Sequence, residues 1–344
     1  MADPLNVVWL AALAAVAGAF GWWTWERSHR RTRPMAGGLH ADITLPHTAD
    51  FELYHNALSL CSKKVRVCLA ELGVPYTEHH VDLIETGRYE NVSRAFLAVN
   101  PAGLVPVLVH DGHPIYESHE QIRYAAEHAP RGAPALVPDD SALEQEMQRW
   151  VDLASLTGDD PIEHGSESAG NAIPGLTVPL FAAMIEDIPV TRILEGALFH
   201  RLKMRPLLFL AMKAVGIRGL GRLAPAIRVV RKSSRDMAAH LDALEAKLHE
   251  TGGPWILGEV FSLADVSWVA IFERLVEADS LHVFLRQGRH PQVMAYWERL
   301  KDRPSYRAAI AEHAHPTVAR GTERIRGAKA ADAALRRALE VTMG

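Results

Sequence analysis

The stretch LYHNALSLCSKKVR, residues 53–66, runs from a strand-like segment through a short turn into a helix. In the turn Ser59 and Cys61 stand two residues apart, and Lys63, Lys64 and Arg66 follow at once. Two readings are open. The turn caps a helix and nothing more, or it holds and activates a sulfur nucleophile.

Working outward, SKKVRVCLAELG reads as a helix. Val65, Cys68, Leu69 and Leu72 share one face, and Gly73 stops it. FELYH before it and YTEHHVDL after it read as strands. GRYENVSRAFLAVNP is helical or irregular, LVPVLVHDGHPIYES is two β runs around an Asp111-Gly112 turn, and SHEQIRYAAEHA is a helix. The order β-α-β-α-β-β-α predicts a small α/β domain with a mixed sheet over 50–130. RGAPALVPDD, 131–140, reads as a linker.

Beyond 140 the periodicity is helical, which predicts an all-α domain over 141–315. Its clearest start is FSLADV. There Ser262 is the N-cap, Asp265 closes a capping box, and Phe261 and Val266 form a hydrophobic staple. This is a folding signal, not a site. The tail, 316–344, is a charged, Ala-rich helix without evident chemistry.

The N-terminus is unlike the rest. LNVVWLAALAAVAGAFGWWTW, residues 5–25, carries no charge. As a helix it is about 30 Å long, the thickness of a bilayer core. Trp22, Trp23 and Trp25 gather at its downstream end, followed by Arg27, Arg30, Arg31 and Arg33. That pattern predicts a single transmembrane helix within an anchor and basic flank, 1–33, with the rest of the chain cytoplasmic. A cleaved signal or a buried core helix are the other readings of such a run. PMAGGLHADITLPHTAD follows, so 34–49 reads as a linker.

The 344 residues suit about two domains. A net charge of −4 argues against a nucleic-acid partner. Only two cysteines occur, seven residues apart on one predicted helix, too far along its axis to bridge. This scarcity fits a reducing compartment.

A small α/β unit followed by a helical one, with LYHNALSLCSKKVR, NPAGLVPVL, the pair Glu117-Ser118 and WILGEVFSLADVS in this order, resembles the glutathione S-transferase family over about 50–315. The resemblance implies a thioredoxin-like domain, and the four motifs together carry it. Within the family, S-x-C-S followed by V-R is similar to the zeta (maleylacetoacetate isomerase) class and to glutathione-dependent tetrachlorohydroquinone dehalogenases. EHHVDL, LVPD and the HG of DDPIEHGS are similar to the ganglioside-induced differentiation-associated proteins, which are anchored at the opposite end of their chain.

What the resemblance implies can be set residue by residue. Glutathione reacts as its thiolate, and a hydroxyl donating to the sulfur favours that form. Ser59 matches the family's catalytic serine, with plain helix capping as its other reading. Cys61 matches the dehalogenases' reactive cysteine, with a small buried residue as its other reading; Cys68 reads as core. Pro106 after Val105 matches the family's cis-proline, leaving the Val105 backbone to pair with the cysteinyl part of glutathione. Glu117 and Ser118 open the next helix and are expected to hold the γ-glutamyl end, with an N-cap role as the plain reading of Ser118. Leu104 departs from the family, standing where many members place Gln or Lys. Tyr54 falls one residue early for a catalytic tyrosine, on the opposite strand face, and reads as structural.

Glutathione as co-substrate, an apolar electrophile, membrane lipid and a homodimer are the implied partners, and no metal site is apparent. His79 and His80 point to opposite strand faces, and His313 and His315 show no acidic or thiol partner at ligand spacing. GIRGLGRL has the wrong glycine order for a phosphate cradle. Residues 190–235 hold eleven Lys and Arg before Asp236 against the single acid Glu195, interleaved with Leu, Phe, Met, Val and Ile. Such a segment either lies in a bilayer interface or packs as an ordinary insertion. The expected function is a membrane-anchored glutathione transferase-like enzyme. Reductive dehalogenation, thiol transfer and aryl-ether cleavage are its neighbours, and a non-catalytic membrane adaptor on the same fold is its rival.

Overall fold

The computed structural model describes residues 4–158, 160–199, 204–286 and 288–340. Helix α1 (Pro4–His29) leads into β1 (Gly38–Leu39), β2 (Phe51–His55), α2 (Leu60–Leu72), β3 (Thr77–His80), α3 (Arg94–Val99), β4 (Val107–His110), β5 (His113–Tyr116) and α4 (Ser118–Glu127). The five strands form one sheet in the order β1-β5-β4-β2-β3. β2 and β3 are parallel and the other pairs antiparallel. The expected mixed sheet and its β-α-β-α-β-β-α order are present.

Two features differ from the sequence reading. The 34–49 stretch supplies the edge strand β1. Its Met35, Ile43 and Leu45 pack with Phe96, Val107 and Val109 in a small apolar cluster. A two-residue strand has no periodicity to betray it. Helix α2 is also buried on nearly every side rather than on one face. It packs on α4 and against helices of the second unit, and its three cations point inward.

The second unit is helical throughout: α5 (Ser141–Leu153), α6 (Ala169–Met184), α7 (Val190–Phe199), α8 (Met204–Gly219), α9 (Ala224–Thr251), α10 (Leu263–Glu277), α11 (Leu281–Phe284), α12 (Pro291–Lys301), α13 (Pro304–Ala309), α14 (Pro316–Ala331) and α15 (Ala333–Leu339). The α10 start bears out its motif. Ser262 Oγ accepts the Ala264 N–H at 3.3 Å, and Asp265 takes the Ser262 N–H at 2.9 Å. Tyr296 Oη and the Ile256 N–H also bond Asp265, so the box doubles as a buried hub. Burial raises the Asp265 carboxyl to about 6 despite these donors.

Helix α6 is the central strut, buried along almost its whole length. Gly175 lets α9 approach closely: a Cβ there would lie 2.0 Å from Ser233 Oγ. The charged tail is two helices broken at Asp332, and Val318, Ile325, Leu335 and Leu339 pack in the second apolar core beside α6 and α9. Arg201 and Lys203 of the basic stretch lie outside the described residues. The remainder of that stretch is spread over α7, α8 and α9 rather than forming one amphipathic helix.

The anchor reading falls on α1. Val7–His29 is long and apolar enough to cross a membrane, and Val7–Phe20 is exposed throughout.

Candidate active site

The turn between β2 and α2 is built by Asn56. Its Oδ1 accepts the Leu58 N–H at 2.9 Å, and its Nδ2 donates to Val81 O at 2.8 Å and Thr86 Oγ1 at 3.0 Å. Ser59 is then the N-cap of α2, accepting the Ser62 N–H at 3.2 Å. Ser62 is buried, and its hydroxyl accepts the Asn56 N–H at 3.3 Å. The Ser59 hydroxyl donates to Val105 O at 3.4 Å, a long bond that a better acceptor would displace. Cys61 sits half-buried in the first turn, and Cys68 is fully buried, its thiol pushed well up by burial. The two are not bridged.

Val105-Pro106 is a cis peptide, as the NPAGLVPVL motif implied. The loop carrying it is braced by amides the sequence reading missed. Gln121, fully buried, donates to Pro106 O at 2.9 Å and Ile115 O at 2.8 Å. Asn100 donates to Leu104 O at 2.8 Å. Glu117 has φ +64° and is the N-cap of α4, but its side chain caps no helical N–H. Ser118 is the first helical residue of α4, not its N-cap as the plain reading had it, and it is buried.

Ser59, Cys61, Val105, Pro106, Glu117 and Ser118 all line one cavity of about 440 Å³ between the two units. Leu104, 58% exposed, lies on its rim. The opposite wall is apolar, with Ile173, Val178 and Phe181 from α6 and Leu208, Phe209 and Met212 from α8. Tyr54 is not among the lining residues; it stacks on His79 at 4.2 Å. No motif marks the α6 and α8 residues, because they meet the turn only through the tertiary fold. Met35 from the 34–49 stretch also lines the cavity.

The three cations after the turn fasten α2 to the helical unit. Lys63 Nζ lies 2.6 Å from Glu277 Oε1, Lys64 Nζ donates to Ser155 Oγ at 2.9 Å, and Arg66 Nε donates to Ala309 O at 2.8 Å. Arg274 of α10, buried at the cavity, donates to Leu58 O and pairs with Glu277 at 2.8 Å. Burial brings Lys63 down to about 8, against the pull of Glu277. Burial pushes Glu277 up, but Lys63 and Arg274 outweigh it and hold its carboxyl below the ordinary value. Lys63 stays lowered because Arg274 adds its repulsion to burial against Glu277 and Glu273, whereas Glu277 has two cations; the pair is charged at neutral pH. On the other wall, Glu85 pairs with Arg205 of α8, and both line the cavity.

A histidine cluster at the β2–β3 edge corrects one expectation. His313 does have an acidic partner: its Nε2 lies 2.6 Å from Glu78 Oε1, with His55 Nε2 3.8 Å from the same carboxylate. These three groups offer ligand atoms within 4.8 Å of one another. Arg66, however, donates to His55 Nδ1 at 3.0 Å, which leaves the imidazole proton on Nε2, the atom a metal would need bare. The cluster reads as a hydrogen-bonded latch between the units.

Comparison with known proteins agrees with this geometry. Residues 58–128 match the family description "Glutathione S-transferase, N-terminal domain", and residues 230–299 match "Glutathione S-transferase, C-terminal domain". The tetrachloro-p-hydroquinone reductive dehalogenase of Sphingobium chlorophenolicum is 25% identical over 251 residues, 72% of this chain and 90% of that one. The glutathione S-transferase TCHQD of Arabidopsis thaliana is 26% identical over 251 residues, 72% of this chain and 84% of its own. Among solved structures, the beta-etherase LigF from Sphingobium sp. strain SYK-6 shares the fold with a TM-score of 0.61 at 20% identity, over 77% of this chain and all of that one. Two segments of the chain thus match the N-terminal and C-terminal domain descriptions of the glutathione S-transferases, and the chain is a glutathione transferase-like enzyme.

Proposed function

We propose that this chain is a membrane-anchored enzyme that ionises glutathione at the start of α2 and delivers its sulfur to an apolar electrophile. The observation that carries the reading is the convergence of six residues from three separate segments on one cavity, opposite an apolar wall. Glutathione lies along the first unit. Its cysteinyl backbone pairs with Val105, and its γ-glutamyl carboxylate meets Ser118 and the first-turn amides of α4, which no side chain caps. Glu117 takes the ammonium. The sulfur then sits at the N-terminus of α2, where Ser59 exchanges its long bond to Val105 for one to the thiolate. The electrophile occupies the side lined by α6 and α8, and α1 holds the enzyme at a membrane with its catalytic units cytoplasmic.

Cys61 supports a second reaction in the same cavity. A glutathionyl conjugate formed there presents its sulfur to the Cys61 thiolate. Attack forms a protein–glutathione disulfide and releases the carbon fragment, which takes up a proton. A second glutathione thiolate then frees Cys61 and leaves as glutathione disulfide. The reductive dehalogenase among the relatives makes this the favoured alternative to simple conjugation. Turnover of halogenated hydroquinones and of simple aryl halides by wild type, Ser59→Ala and Cys61→Ala separates the two. Loss only in Cys61→Ala, with mixed disulfide seen by mass spectrometry, marks reduction. Loss only in Ser59→Ala marks conjugation, and full activity in both variants removes the assignment.

A further inference from the structure

The anchor does not leave the body of the protein on a loose tether. Arg30, one residue past α1 and 8% exposed, donates to Val92 O at 2.8 Å and to Glu195 of α7 at 2.9 Å. Its guanidinium also lies over the Phe199 ring, 4.3 Å from the centroid. Trp22 of α1 meets the same ring edge-on at 6.3 Å. Phe199 ends α7, so the end of α7 is fixed beside the tryptophan-rich end of the apolar helix.

At that corner the surface is apolar. On α7, Val190 and Leu194, one turn apart on one face, are 46% and 45% exposed. At the start of α8, which packs on α7, Met204, Leu207 and Leu208 are 74%, 53% and 45% exposed. Around the anchor's end stand exposed Arg27, Arg31 and Arg33, with Arg94 over the Trp25 ring at 4.7 Å. Apolar side chains beside tryptophans and arginines match the boundary of an anionic bilayer. The exposed Arg218 lies past the break of α8 at Gly216 (φ +62°), at the other end of that helix from Met204.

We propose that the α7–α8 corner is a bilayer-contact surface, pressed into the membrane boundary beside α1. The inference rests on the anchoring of α1 proposed above and needs nothing of the glutathione chemistry. Its consequence follows from Leu208, which lines the cavity and is also exposed at the corner. The wall of the electrophile side then lies at the lipid surface.

The test uses the full chain in vesicles of phosphatidylcholine and phosphatidylserine. In a Cys61→Ser background, where Cys68 is buried and unreactive, one environment-sensitive fluorophore is attached at Val16→Cys, Leu207→Cys or Glu250→Cys. Leu194→Cys is a second corner position should Leu207→Cys fail to fold. Quenching is read with spin-labelled acyl chains and with aqueous iodide. The corner label is expected to be quenched by shallow spin-labelled lipid at least about half as strongly as the Val16 label, as for groups 5–10 Å into the boundary, while position 250 responds only to iodide. Quenching at 16 with positions 207 and 194 behaving like 250 overturns the corner contact and leaves the anchor standing. No lipid quenching at 16 or at the corner overturns both. A corner label hidden from iodide but untouched by lipid marks a protein partner, such as a second copy, and also overturns the proposal.

Discussion

Lys63 of α2 holds its ammonium 2.6 Å from Glu277 Oε1 of α10, and Glu277 in turn holds Arg274, which grips the carbonyl of Leu58. The turn bearing Ser59 is thus positioned by a charge network from the other unit.

Removing the shared anion should cost more than removing either cation. Glu277→Gln leaves two buried cations without their carboxylate, an expected loss of about 3–5 kcal/mol. Lys63→Met leaves Glu277 paired with Arg274 and should cost roughly half of that. Denaturant midpoints of the detergent-solubilised full chain measure both. Equal costs for the two variants would show that the network does not act as described.

This network also shows why part of the site was legible in the sequence and part was not. Ser59, Val105-Pro106 and Glu117-Ser118 work through local backbone geometry, a cap, a turn and a helix start, and such geometry leaves short motifs. Arg274, Gln121, Asn56 and Arg205 act across the fold, and nothing beside them in the chain says whom they meet. Nothing in SKKVR announces that Lys63, Lys64 and Arg66 are buried. Periodicity cannot separate a solvent-facing helix from one wedged between two units. The plain N-cap reading of Ser118 is off by one residue, because Glu117 takes the cap position with φ +64°, a conformation its residue type does not announce.

Acid should weaken the junction between the units through His55. Burial, with Arg66 beside it, lowers this imidazole to about 2, from an unfolded value near 6.5. A group lowered on folding contributes stability above its unfolded pKa and loses it as pH falls towards the folded one. Stability should therefore drop below pH 6.5 with a slope of up to about 1.4 kcal/mol per pH unit from this residue. His55→Gln, which keeps an acceptor for Arg66, should flatten the pH 6.5 to 5 segment. An unchanged slope would show that His55 does not set the acid sensitivity.

The capping box of α10 should prove a stability element without a binding role. Asp265→Ala strips buried partners from the Ser262 and Ile256 amides and from Tyr296, with an expected cost of about 3 kcal/mol. Glutathione affinity at a temperature where the variant is folded should be unchanged. A parallel loss of affinity at full folding would contradict this separation.

Leu104 offers a gain rather than a loss. It is exposed on the cavity rim, so Leu104→Gln should not disturb folding. One added hydrogen bond, about 1 kcal/mol, should tighten glutathione binding roughly fivefold by calorimetry. Weaker binding would mean that the peptide does not pass this residue.

The most direct test of the central claim is the ionisation of glutathione on the protein. In a Cys61→Ala background, the ultraviolet absorbance of the thiolate is titrated with glutathione bound to the full chain, with and without Ser59→Ala. The account predicts that the bound thiol ionises well below its free value of about 8.5, and that Ser59→Ala returns it most of the way. Glutathione that fails to bind, or that binds with its thiol titrating as it does free in water, would contradict it.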